Sequence, residues 1–262
     1  MSSCMPHNKS HLPADVTAVI LAGGMGLRLR PVVGDRPKVL APVGGRPFLS
    51  HILDQLADAG FRNVTICVGY LADRVVAVFG ASFRGLALRY SMETTPLGTG
   101  GAVLNALPLV DSEMVLVMNG DSYLDVGLDH YLRWHAAGQA APSMVVTEVA
   151  DTRRYGRVVL DADDHVVAFQ EKSVREGSGF INAGIYLFSR RLLESMGPGA
   201  GNSLEKDLLP VLAGRRLRGF RCSGDFIDIG TPESFGRAEA FFQANRRRSR
   251  DGNSVTWEGG IT

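Results

Sequence analysis

The stretch VILAGGMGLRLRP places Gly23, Gly24 and Gly26 directly after a run of β-branched residues. Glycines there do not fill a core. They let the backbone bend sharply and expose N–H groups that can cradle phosphate oxygens. Arg28, Arg30 and Lys38 follow, and cations in such a loop suit a partner that carries phosphate. The glycine spacing is G-G-x-G, so the G-x-G-x-x-G dinucleotide fingerprint is absent, as is the G-K-[ST] ending of a P-loop. Pro31 interrupts any immediate helix, which predicts an irregular loop as far as Pro37-Lys38. Two carboxylates could work with these cations. Asp121 ends the apolar run in VLVMNGDS; Asp228 follows apolar residues in DFIDIGTPESF, where Asp225 is its rival. Open α/β sheets bind ligands at the carboxyl ends of their strands, and Mg²⁺ prefers carboxylate oxygens. A second Gly-rich turn, METTPLGTGGA, carries Glu93. Its carboxylate only accepts hydrogen bonds, so it suits a partner that presents donors.

Elements that must position these groups can be read from apolar spacing. Residues 16–21, 64–68 and 114–118 form short apolar runs of the kind found in buried parallel strands, and 86–91 alternates like a strand. Helical stripes occupy 47–59, 73–79 and 101–107, with Gly60 and Gly80 closing the first two. This alternation predicts a Rossmann-like, doubly wound, mostly parallel α/β sheet. Further on, 142–149 and 158–170, around the turn DADD, and 180–188 look like longer, more exposed strands. Helical patterns follow at 204–212 and 232–246. The expected organisation is a disordered lead-in over 1–15, one domain over 16–246, and a tail over 247–262. The domain divides into a half near 16–125 and a β-rich half near 126–246 for a second substrate.

Composition narrows the function. The 262 residues carry 28 Lys+Arg against 27 Asp+Glu, a net charge of +1, so no bulk field attracts nucleic acid or a membrane. The basic run RRRSR near the end reads as a solvated helix end. Cys4, Cys67 and Cys222 show neither paired nor zinc-like spacing, which suits a reduced, cytoplasmic setting. No apolar run reaches membrane-spanning length. Oligomeric state is not legible, and a homo-oligomer stays open.

The blocks LAGGMGLRLRP and PKVLAPV together resemble the signature of the sugar 1-phosphate nucleotidyltransferases, L-A-G-G-x-G-T-R-L-x-P followed by P-K. Leu27 departs from it, standing where the family usually has Thr or Ser. The resemblance spans nearly 16–245, and PFLSHILDQLADAGF, SLEKDLLP and FIDIGTPESF are most similar to D-glycero-α-D-manno-heptose 1-phosphate guanylyltransferases. It implies a glycosyltransferase-A-like fold and a Mg²⁺-dependent reaction. In that reaction a sugar 1-phosphate attacks a nucleoside triphosphate and pyrophosphate leaves. It implies a catalytic trio of Arg28, Lys38 and Asp121, and a metal held by Asp121 and Asp228, the family's D-x-G-T-P favouring Asp228 over Asp225. Nucleotide contacts are implied for Leu21, Ala22, Gly23, Gly24, Gly26, Glu93, Pro96, Gly98, Thr99, Asn119 and Gly120, with GTP favoured. The RYG, FQEKS and FINAGIYLF blocks imply a sugar-phosphate site of Tyr155, Gly156, Glu171, Lys172 and Asn182. The second choice is a sister activity on mannose or glucose 1-phosphate using ATP, UTP or dTTP. Two readings from other classes are a non-catalytic subunit that only binds nucleotide-sugar and a dinucleotide-dependent oxidoreductase; the four retained charged residues and the glycine spacing weigh against them respectively.

Overall fold

Alternate residues of β1 (Val16–Leu21) feed two separate cores: Ala18 and Ile20 enter one and Val19 the other. That is the signature of a strand covered on both faces. A computed structural model, which describes residues 13–138, 141–170, 177–197 and 203–250, shows what covers it. Residues Pro13–Asp15 of the expected lead-in form a 3₁₀ turn leading into β1.

After the glycine loop comes α1 (Arg30–Val33), a single turn with Pro31 near its start. Proline fits there because the first N–H groups of a helix have no intrahelical partner, so the loop expected to be irregular is partly wound. A short ribbon, β2 (Pro42–Val43) with β3 (Arg46–Pro47), leads into α2 (Phe48–Asp58), whose stripe Phe48, Leu49, Ile52, Leu53 and Leu56 is fully buried. Then follow β4 (Asn63–Val68), α3 (Ala72–Phe79), β5 (Ser82–Phe83) and β6 (Leu86–Met92). Next is α4 (Gly98–Ala106), which begins earlier than the pattern at 101–107 indicated because Gly98 adopts φ 73°. The chain continues through β7 (Met114–Asn119), β8 (Ser122–Leu124), α5 (Leu128–Ala137) and β9 (Ser143–Val149). A hairpin of β10 (Arg157–Leu160) and β11 (Val166–Gln170) precedes β12 (Gly179–Ser189) and α6 (Arg190–Glu194). The pattern at 204–212 resolves into a π-helical turn, Leu204–Leu208, and α7 (Leu209–Leu212). The chain closes with β13 (Arg218–Cys222), β14 (Phe226–Asp228) and α8 (Pro232–Arg250), so the helix reaches into the segment expected to be tail.

Eight strands form one sheet in the order β13-β9-β12-β7-β1-β4-β6-β5. The run β7-β1-β4-β6 is parallel, and β12 enters antiparallel to both β7 and β9. The two expected halves therefore share a single sheet. Helices α2, α3, α5 and α8 bury one face, while α4, α6 and α7 bury the other. Because these strands run parallel, the loops after β1, β6 and β7 emerge at one edge.

Helix α8 is locked down by rings: Phe242 stacks on His51 at 3.9 Å and meets Phe48 and Tyr123 edge-on at 6.0 and 4.9 Å. Phe242→Ala should lower the free energy of unfolding by about 3–5 kcal/mol, read from urea denaturation. A change below about 1 kcal/mol would show that this helix is not part of the cooperative core.

Candidate active site

At the carboxyl edge of the parallel strands, Gly120 N–H donates to the Leu21 carbonyl at 2.9 Å and Ala22 N–H to the Cys67 carbonyl at 2.9 Å. These bonds hold the ends of β1, β4 and β7 in register beyond the strands themselves. They frame a cleft of about 340 Å³. Leu21, Ala22, Gly23, Gly24, Glu93, Pro96, Gly98, Thr99 and Asn119 line it, together with Lys38 and Asp121. Gly26 and Gly120 act from behind the wall: Gly26 adopts φ 60° with the Lys38 side chain close by, and a side chain at Gly120 would lie 2.7 Å from the Leu21 carbonyl oxygen. The α4 N-terminus, Gly98-Thr99-Gly100, opens into the cleft without a side-chain cap. Its free N–H groups and dipole favour an anion there.

Glu93 sits over Gly23. A β-carbon on Gly23 would come within 2.3 Å of Glu93 Oε1, and Leu97 N–H donates to Glu93 Oε2 at 3.2 Å. Burial raises the Glu93 carboxyl above its ordinary value, with the Leu97 N–H opposing that shift. The Thr99 hydroxyl is committed elsewhere: it donates to Glu205 Oε2 at 2.7 Å and accepts from Leu204 N–H at 2.9 Å.

Asp121 and Asp228 meet through a ribbon that the apolar spacing did not reveal. β14 pairs antiparallel with β8, Asp228 opposite Ser122, and Ile229 N–H donates to the Asp121 carbonyl at 2.9 Å. Lys38 lies between the two carboxylates. Its Nζ donates to Asp121 Oδ2 at 2.7 Å, and its side chain is only 12% exposed. An added β-carbon on Gly230 would lie 2.8 Å from Asp228 Oδ1, 3.6 Å from Lys38 Nζ and 3.9 Å from an Arg28 guanidinium nitrogen. The bare backbone at Gly230 thus leaves room for both cations beside Asp228. Arg28 is exposed and makes no ion pair among the described residues.

Asp228 accepts from the Tyr155 hydroxyl at 2.6 Å, from Gly230 N–H at 2.9 Å, from Ser234 Oγ at 3.3 Å and from Arg154 at 3.2 Å to each oxygen. Burial pushes this carboxyl up, but the Tyr155 and Gly230 donors and the charges of Arg154 and Lys38 outweigh it and hold the group below the usual range. Tyr155, expected at the sugar phosphate, therefore orients a carboxylate. Gly156 adopts φ 78° behind it. Asn182 sits at a break in the β12 register; it donates to the Tyr186 hydroxyl at 2.8 Å and accepts from Gly184 N–H at 2.9 Å. Glu171 and Lys172 lie outside the described residues. Arg154, Ser234 and Glu205 were not among the residues singled out by sequence. Glu205 stands in the quoted block SLEKDLLP, and Arg154 directly precedes Tyr155-Gly156, so both lay beside motifs already in view.

Among the described residues no group of three or more His, Cys, Asp or Glu side chains could hold a metal by itself. A pair of carboxylates is nevertheless what Mg²⁺ takes when water and substrate phosphates complete its shell. Both carboxylates here already attract cations, so the donor set fits a divalent ion.

The sequence profile of the nucleotidyl transferase family matches residues 17–245. A mannose-1-phosphate guanylyltransferase from Mycobacterium tuberculosis is 36% identical over 86% of this chain, which spans 64% of that relative. A D-glycero-alpha-D-manno-heptose 1-phosphate guanylyltransferase from Aneurinibacillus thermoaerophilus is 34% identical over 86% of this chain and 98% of its own length. The crystal structure of HddC from Yersinia pseudotuberculosis complexed with GMP-PN superposes with a TM-score of 0.76 at 34% identity, covering 86% of this chain and 99% of that one.

Gly23→Ala should displace the Glu93 carboxylate, which can rotate outward, so the melting temperature without ligand should change little. Nucleotide-induced thermal stabilisation should fall by the equivalent of about tenfold in affinity, the loss of one hydrogen bond to a charged group. Undiminished stabilisation would show that Glu93 plays no part in nucleotide binding.

Proposed function

The chain belongs to the nucleotidyl transferase family, and from that premise we propose that it joins GTP to a manno-configured heptose 1-phosphate, giving a GDP-sugar and pyrophosphate. The observation that carries this reading is the placement of Lys38 between Asp121 and Asp228 at the strand ends, beside a cleft bounded by the glycine loop. A sugar 1-phosphate oxygen attacks the α-phosphorus of GTP; a new P–O bond forms as the bond to the β-phosphate breaks, and the electron pair leaves with pyrophosphate. Both reactants are anions, so positioning and charge neutralisation dominate. Lys38 donates to phosphate oxygens at the reacting centre once it leaves Asp121. Arg28, unpaired and exposed at the loop, binds the triphosphate tail and the departing pyrophosphate. The α4 N-terminus adds its N–H groups. Asp121 and Asp228 would hold Mg²⁺, which when bound neutralises phosphate charge. The sugar phosphate is taken up on the side of Tyr155, Gly156 and Asn182, together with Glu171 and Lys172.

The base is read by Glu93, whose two oxygens can accept both N1–H and N2–H₂ of guanine. The heptose relative supports the sugar assignment, and the HddC complex with GMP-PN supports a guanine nucleotide. A mannose 1-phosphate is the second reading, favoured by the Mycobacterium relative. Cytoplasmic residence suits the two buried free thiols, Cys67 and Cys222, and among the described residues no helix is long and apolar enough to cross a membrane.

Pyrophosphate release from four nucleoside triphosphates against heptose, mannose and glucose 1-phosphates, with and without Mg²⁺, tests the assignment. GTP with heptose 1-phosphate should react fastest, and release from no pair would overturn it. Lys38→Met should lower kcat by about 10²–10³, the usual effect of losing one electrostatic donor. Glu93→Gln should erode the preference for GTP; an unchanged preference would remove Glu93 as the reader of the base. Because only the ionised Glu93 accepts both donors, GTP affinity should fall as the pH drops through its value. Since burial raises that value, the fall should begin above the ordinary carboxylate range of about 4.3, and Glu93→Gln should flatten it.

A further inference from the structure

Asp228 receives two kinds of partner. Tyr155 O–H and Gly230 N–H approach one oxygen each at 2.6 and 2.9 Å, short and well separated. Arg154 reaches both oxygens from a single guanidinium nitrogen at 3.2 Å, instead of presenting the two parallel N–H groups of a fork. This is a long, shared contact. The Arg154 side chain is 36% exposed against 16% for Asp228, so one partner can move into water while the other is held. Arg154 also lies in the turn before Gly156 and has a second seat, its guanidinium 5.3 Å from the centre of the Tyr155 ring. The neighbouring Arg153 is tied to Asp151 and does not compete for this role.

We propose that Arg154 competes with the divalent cation for the Asp228 carboxylate, balancing its charge in the nucleotide-free protein and yielding to the metal as GTP arrives. The inference rests on the assignment of Asp228 as a metal-binding carboxylate. Tyr155 and Gly230 keep the carboxylate oriented throughout, so the exchange moves one exposed arm and leaves the ribbon in place. Nucleotide-free protein would then bind metal weakly, because the cation must first displace a resident guanidinium. Metal carried by GTP brings phosphate ligands of its own and offers Arg154 new anionic partners.

The test is direct Mn²⁺ binding to the full chain without nucleotide or sugar, followed by electron paramagnetic resonance and calorimetry. Arg154→Gln should bind Mn²⁺ about two- to fivefold more tightly than the parent, the range set by one partly exposed ion pair. Arg154→Lys, which keeps the charge, should stay near the parent. Equal or weaker Mn²⁺ binding in Arg154→Gln, with an unchanged circular dichroism spectrum, overturns the proposal. So does Arg154→Lys matching Arg154→Gln; if the glutamine variant fails to fold, Arg154→Met takes its place in both comparisons. Binding by neither parent nor variants at millimolar Mn²⁺ overturns it too. Nucleotide transfer is read separately: an active parent with Arg154-independent Mn²⁺ binding removes this inference alone, and Arg154-dependent binding in a parent inactive with every substrate pair removes the transferase reading alone.

Discussion

Two like charges held side by side are the constraint on which the site is built. The β8–β14 ribbon sets Asp228 opposite Ser122, next to Asp121, and Ile229 N–H fixes that register by donating to the Asp121 carbonyl. Both carboxylates have cations beside them, and those cations come from separate parts of the chain. Lys38 comes from the turn after the glycine loop and Arg154 from the turn before β10. Arg28 adds a third charge from the loop itself. Gly230 and Gly26 matter because side chains there would occupy the space these cations use.

A second, neutral-to-acidic network joins Asn182 to the start of α4. Asn182 donates to the Tyr186 hydroxyl, Tyr186 lies 3.5 Å from Glu205, and Glu205 accepts from Thr99 at the start of α4. Ser203 Oγ adds a bond to the same carboxylate at 3.0 Å. A strand break beside Asn182, where Gly184 adopts φ 75° against Asn119, is therefore linked through three side chains to the helix terminus that faces the cleft. Because β12 is hydrogen-bonded to β7, these contacts rest on the same sheet that carries Asp121. A change in packing beside Asn182 has a short route to the start of α4.

Periodicity made the central strands and α2 legible, because both faces of β1, β4 and β7 are buried and the helix needs one long apolar stripe. Local chemistry pointed to the glycine loop, Lys38 and Asp121, since a backbone that must bend and a carboxylate at a strand end are written in neighbouring residues; Asp228 was preferred to Asp225 only through the resemblance to D-x-G-T-P. Three-residue strands are different. β8 and β14 are too short to show an alternation, and their pairing depends on sequence far away. Pro31 was read as a breaker although the first turn of a helix accepts it. Arg154, Ser234 and Glu205 escaped for a related reason: a charged or hydroxyl side chain acquires meaning only when the fold supplies its partner, and each partner here lies far off in the chain or across a turn.

The distribution of charge explains why the cations are dispersed and not gathered into one fixed patch. Lys38 is held by Asp121 and Arg154 by Asp228, so these two cations have carboxylate partners before any phosphate arrives, while Arg28 makes no ion pair among the described residues. A cluster of unpaired cations would bind any phosphate and repel a divalent ion. Paired cations can instead exchange partners, because a carboxylate prefers the doubly charged metal and a guanidinium or ammonium is well served by phosphate oxygens. The exchange conserves the number of ion pairs while moving positive charge toward the α-phosphate, where the proposed reaction develops its negative charge. Tyr155, Gly230 and Ser234 keep Asp228 fixed during that change, so what the site reorganises is the set of counter-ions and not the backbone that holds the carboxylates.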